Sequence, residues 1–76
     1  MRFKDAAAIV TGGASGIGQA IARALAERGV RVVVADINGD AAETEAALLR
    51  SHGHQAIAER VDVTDAAAVE LLVAGV

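Results

Sequence analysis

The run Ala6-Ala7-Ala8-Ile9-Val10-Thr11 passes directly into Gly12-Gly13-Ala14-Ser15-Gly16-Ile17-Gly18, and this junction limits the folds open to the chain more than any other stretch. An apolar run of this length reads as a strand buried on both faces, the kind found in parallel sheets. Glycines at positions 12, 16 and 18 then allow a backbone that turns tightly and lets another body come close. From Ile17 the period lengthens: Ile17, Ala20, Ile21, Ala24 and Leu25 recur at helical spacing, with Gln19, Arg23, Glu27 and Arg28 on the other side. Strand, glycine turn and helix in that order aim unpaired N–H groups and the positive end of a helix dipole at one point, which suits a phosphate.

The rest of the chain continues the alternation. Gly29 is placed to stop the first helix, and Val30-Arg31-Val32-Val33-Val34-Ala35 reads as a central parallel strand ending at Asp36. A second helix is expected over residues 39–52, capped by Asn38 or by Asp40, the latter in capping-box spacing with Glu43. Its buried stripe is Ala42, Ala46 and Leu49, with Glu43, Glu45 and Arg50 left in water and Gly53 as the stop. Residues 56–61 form a weaker third strand, in which Glu59 and Arg60 mark a partly exposed edge. Thr64 is a natural cap for a third helix, with Asp65 near its positive end and Val69, Leu72 and Val73 along one face.

This βαβαβα order with short connections implies right-handed parallel crossovers and a Rossmann-type, three-layer α/β unit, the first half of a doubly wound fold. Residues 1–76 are therefore expected to be one partial domain. In the usual order of such a half the first strand is central, flanked by the second and a fourth. With no fourth strand expected, one edge of the first strand would be bare. That points to a missing part or to pairing with another copy in a homo-oligomer.

Composition narrows the partners. Although 54% of residues are hydrophobic, Phe3 is the one aromatic, so the core must be built from small side chains. A net charge of −3 gives no basic field to recruit nucleic acid, so a phosphate site here must work through local dipoles. The chain has no cysteine, which removes disulfides and cysteine-rich zinc sites. His52 and His54 flank Gly53 without an obvious third ligand and read as loop residues, so no metal site is assigned. Arg2 and Lys4 precede an apolar run too short for a signal peptide, and no span has transmembrane length. A cytoplasmic protein without membrane partners is expected.

Two other phosphate-loop readings fit less well. Gly13 to Gly18 has Walker spacing, but Gln19 and Ala20 stand where lysine and a hydroxyl residue are needed. Gly13-Ala14-Ser15-Gly16 also matches the loop of KH modules, which requires two flanking helices and a basic surface. Asp36 carries the second signal. A carboxylate at the end of the second strand can accept both hydroxyls of an adenosine ribose and would repel the extra phosphate of NADP. Asp62 has a similar place after the third strand and could meet the adenine; a solvated turn residue is the alternative for each aspartate and weighs more for Asp62 than for Asp36.

Thr11-Gly12-Gly13-Ala14-Ser15-Gly16-Ile17-Gly18, Asp36 and Asp62-Val63-Thr64, in that order and at these distances, resemble the cofactor half of the short-chain dehydrogenase/reductase family. The resemblance runs from about Phe3 onward. It implies that Gly12, Ser15, Gly16 and Ile17 line the pyrophosphate and nicotinamide side, that Gly18 belongs to the same motif, that Asp36 and Ile37 meet the ribose, and that Asp62 and Val63 meet the adenine. NAD is the cofactor implied, since NADP-preferring members tend to carry a basic residue where Ser15 stands or after the second strand. The implied function is the dinucleotide-binding part of an oxidoreductase interconverting a small-molecule alcohol and a carbonyl.

The family's catalytic Tyr-x-x-x-Lys pair, with a serine and an asparagine, lies downstream of this region. No tyrosine occurs here, and the one lysine is Lys4, ahead of the first strand. No catalytic residue is therefore assigned, and these residues alone are expected to be inactive. A stand-alone nucleotide-binding or oligomerisation module, or a fragment without function, are the alternative readings.

Overall fold

The computed structural model describes residues 6–12, 14–61 and 68–73. Strand β1 (Ala6–Thr11) leads into helix α1 (Gly16–Glu27), strand β2 (Arg31–Asp36), helix α2 (Gly39–Ser51) and strand β3 (Ala56–Arg60). A fourth strand, β4 (Ala68–Val73), follows. The four strands form one sheet in the order β3-β2-β1-β4, with β1, β2 and β3 parallel and β4 antiparallel to β1.

Burial alternates along β1: Ala6, Ala8 and Val10 are buried, whereas Ala7, Ile9 and Thr11 are half-buried. The expectation of a strand buried on both faces is thus met on one face among the described residues. The cause is the handedness of the crossovers. Each right-handed connection steps the same way along the sheet, so α1 and α2 land on the same face. There Val10, Val32 and Val34 meet Ala22 and Ala26 of α1 and Ala42, Ala46 and Leu49 of α2. Alanines at the contact let the helices lie close to the strands, while each fully buried valine contributes roughly 1.5–3 kcal/mol over an exposed one.

In α1 the buried residues are Gly18, Ala22 and Ala26, with Ile21 and Leu25 packed at the margin. The sequence stripe is corrected by this rotation: Ile17, Ala20 and Ala24 are exposed, and Ile17 is 76% accessible. Small side chains rather than large ones face the sheet because the helix is seated close to it. In α2 the expected stripe of Ala42, Ala46 and Leu49 is buried, but Glu45 is buried with it and not in water. Its partners, given below, explain why.

Both helices stop in the same way. Val30 N donates to the Leu25 carbonyl and Gly29 N to that of Ala26; His54 N donates to Leu49 and Gly53 N to Arg50. These paired backbone bonds are a Schellman motif, with Gly29 and Gly53 in the left-handed region at φ 87° and 85°. Val30 and Leu25 supply the apolar contact that accompanies it. The start of α2 is settled by geometry: Asn38 Oδ1 accepts from Ala41 N at 3.0 Å, so Asn38 and not Asp40 is the cap.

The third helix is the main correction. Residues 68–73, expected to be helical, pair with β1 from Ala6↔Val73 to Thr11↔Ala68. Hence the β1 edge expected to be bare is covered within the chain, and the argument from that edge to self-association falls. The sequence run also offers Val69, Leu71 and Val73 at period two, and a short apolar run is ambiguous between the two periods. The open edge of β1 supplies hydrogen-bond partners that favour the extended form. Thr64 and Asp65 lie outside the described residues. The β3 edge is as expected, with Glu59 and Arg60 exposed.

Candidate functional site

Parallel pairing places the carboxyl ends of β1 and β2 side by side. Thr11 is in register with Ala35, so the residue after each, Gly12 and Asp36, opens the same end of the sheet. Gly12 turns the chain with φ 67°, a conformation that any other residue adopts only at a cost of roughly 1–2 kcal/mol. Ser15 closes the turn: its N–H and its hydroxyl both donate to the Gly12 carbonyl, at 3.0 and 2.7 Å. The hydroxyl therefore braces the loop.

That bond has a consequence for α1. Ser15 occupies its N-cap position without a side-chain cap bond, and the first turn has no acidic residue. Helix α2 differs on both counts, with Asn38 as a bonded cap and Asp40 in the first turn. The positive end of α1 thus lacks the compensation that α2 builds from its own side chains.

Gly16 sharpens the point. A Cβ added there meets nothing within 4 Å, and its φ lies outside the left-handed region. Neither backbone nor packing demands glycine in the first position of this helix, where alanine would form helix more readily. The position faces open space. Gly18, by contrast, is buried, in keeping with close packing of α1 on the sheet.

Asp36 is 8% exposed and holds two backbone groups. Its Oδ2 accepts from Ala14 N at 3.0 Å, and its Oδ1 accepts from Asn38 N at 3.0 Å. The carboxylate therefore stands between the glycine loop and the turn into α2. Each oxygen retains a lone pair for a further donor. Ile37, next to it, is 52% exposed. The end of β3 joins the same rim, since Val61 N donates to the Asp36 carbonyl and Arg60 is in register with Asp36. Asp62 and Val63 lie outside the described residues.

The structure places Gly12, Ser15, Gly16, Ile17, Gly18, Asp36 and Ile37 at one end of the sheet. Ala14 and Asn38, not among the residues expected there, join them through main-chain N–H groups that every residue shares, so only the position of their neighbours could have flagged them. His52 and His54 stand at the far ends of the helices, lining a shallow cavity of about 230 Å³ with Arg23, Glu27, Leu48 and Leu49. Among the described residues no three potential metal ligands cluster, and no helix is long and apolar enough to cross a membrane.

Residues 6–76 match the family model of the short chain dehydrogenases. The chain is 50% identical over 70 residues to cis-4-hydroxycyclohexanecarboxylate dehydrogenase of Sinomonas cyclohexanicum, covering 92% of this chain and 28% of that protein. It is 46% identical over 72 residues to 1-deoxy-11-beta-hydroxypentalenate dehydrogenase of Streptomyces exfoliatus, covering 95% of this chain and 26% of that one. Among solved structures, a 7 alpha-hydroxysteroid dehydrogenase complexed with NADH and 7-oxo glycochenodeoxycholic acid superposes with a TM-score of 0.77 at 44% identity, over 80% of this chain and 24% of that one. The chain spans about a quarter of the length of these relatives, which are dehydrogenases.

Proposed function

The chain belongs to the short-chain dehydrogenase family, and on that premise we propose that it forms the dinucleotide-binding part of an oxidoreductase that interconverts an alcohol and a carbonyl, with NAD as cofactor. The observation that carries this reading is the pairing of an uncapped, acid-free helix start with a buried carboxylate on the adjoining strand. The first attracts an anion; the second accepts hydroxyls. A pyrophosphate linked to a ribose has both.

In this reading the first turn of α1 and the Gly12–Ser15 turn hold the pyrophosphate, with Gly16 leaving room for it. Asp36 accepts the ribose hydroxyls through its remaining lone pairs and repels a phosphate on the same sugar, which favours NAD over NADP. Ile37 and Ile17, both exposed, give apolar cover on the ribose and nicotinamide sides, and Asp62 and Val63 meet the adenine. When bound, the nicotinamide supplies the hydride acceptor or donor. These residues bind and orient; the group that exchanges the substrate proton is not among them, as the 76 residues include no tyrosine and lysine only at position 4.

Titration of NAD and NADP into wild type and Asp36→Ala tests the assignment. Wild type should bind NAD more tightly, and the substitution should narrow or reverse the difference. Equal affinities in wild type would remove Asp36 from this role.

A further inference from the structure

The glycine loop has little of its own to hold it in shape. Its residues carry no side chain larger than that of serine, and among the described residues its internal bonds are the two from Ser15 to the Gly12 carbonyl. Among the described residues one hydrogen bond reaches it from distant sequence: Ala14 N donates to Asp36 Oδ2 across 22 residues, at 3.0 Å. The other oxygen of the same carboxylate takes Asn38 N, so Asp36 is itself fixed from the α2 side. Asp36 is buried to 8% exposure, and both bonds are partly buried.

We propose that Asp36 is a positioning residue for the glycine loop, holding the phosphate-binding backbone in place before a dinucleotide arrives and coupling that loop to the ribose position. The inference rests on the dinucleotide reading above and adds a second role to the same side chain. Each carboxylate oxygen uses one lone pair on a main-chain N–H and keeps the other, so both ties persist while hydroxyls are accepted. A loop ordered in advance is not ordered at the expense of binding. Removing Asp36 then weakens phosphate binding even for a ligand with no hydroxyls to offer.

The test uses the whole protein that carries these residues, as wild type, Asp36→Ala and Asp36→Asn, with two ligands: NAD and an NAD analogue whose adenosine ribose lacks both hydroxyls. Asp36→Ala should bind the analogue roughly tenfold more weakly than wild type does, the size of one buried hydrogen bond to a carboxylate. In the ligand-free protein, exchange of the Ala14 amide should speed up while the Val10 and Val34 amides stay protected, which a general loss of stability would not produce. Asp36→Asn keeps one acceptor and turns an NH₂ toward the other donor, so it should lose one tie, and it stands in if the alanine variant does not fold. Equal affinity of wild type and both variants for the analogue, with unchanged Ala14 exchange, overturns the proposal. If wild type binds neither ligand, the dinucleotide reading fails, and the Ala14 exchange comparison still decides whether Asp36 holds the loop.

Discussion

Glu45 of α2 is held by Arg23 of α1 through a two-point fork, Nε to Oε2 at 2.8 Å and Nη2 to Oε1 at 2.9 Å. Gln19, one turn earlier on α1, donates to the same Oε1 at 2.8 Å. The Glu45 side chain is 3% exposed and that of Arg23 45%, so the carboxylate is enclosed while its partner still meets water. Three donors from one helix satisfy a charge on the other, and this is why a residue that reads as solvated lies in the interface.

The fork makes stability depend on acid. The hydrogen bond from Arg23, assisted by Gln19 and opposed by burial, lowers the Glu45 pKa from its ordinary value. A carboxylate with a lowered folded-state pKa contributes stability that is fully present above the unfolded value, about 4.3, and is lost as pH falls through the folded value. Thermal melts from pH 7 to pH 3 should therefore show a fall in Tm below about pH 4.3 that is shallower in Glu45→Gln. Glu45→Ala should cost about 1–2 kcal/mol at neutral pH, discounted for the exposure of Arg23. Parallel acid profiles for wild type and Glu45→Gln would show that the fork carries no such linkage.

Gly16→Ala separates folding from binding. With no atom within 4 Å of the new methyl, the substitution should leave the fold intact and raise its stability by roughly 0.5–1 kcal/mol. The same methyl enters the space assigned to the pyrophosphate, where overpacking should weaken NAD by at least about tenfold. Denaturant melts and NAD titration on one preparation read both effects. A variant that is more stable and binds NAD as wild type does would remove Gly16 from the site.

Asn38→Ala removes the one side-chain cap on α2, the Oδ1 bond to Ala41 N, and should destabilise by about 1 kcal/mol, with Asn38→Asp close to wild type. The tie from Asn38 N to Asp36 is a main-chain bond and survives both changes. Chemical denaturation of the three proteins measures the difference, and an alanine variant as stable as wild type would refute the cap.

For β4, the register gives a direct spectroscopic signature. Nuclear Overhauser contacts should join the backbones of Ala7 and Leu72 and of Ile9 and Glu70, and amides along Ala68–Val73 should be protected in alternation. Contacts between residues three and four apart within 68–73 would instead restore the helix that the sequence pattern offers.

The sequence by itself determined the features whose causes are local. The glycines at 12, 29 and 53 sit where φ is positive, the valines at 32 and 34 are buried in a parallel strand, and the short connections force both helices onto one face. The end of β2 at Asp36 and the glycine turn after β1 follow from the same local signals, so most of the candidate site was legible. Tertiary structure decided what depends on a partner far along the chain. Residues 68–73 are extended because β1 offers an edge, and a strand draws its hydrogen bonds from its neighbour rather than from itself. Glu45 is buried because Arg23 and Gln19 reach it across the helix interface. Asp36 is joined to the loop because parallel register brings Gly12 and Asp36 to one end of the sheet, where an N–H with no sequence signature of its own meets a carboxylate.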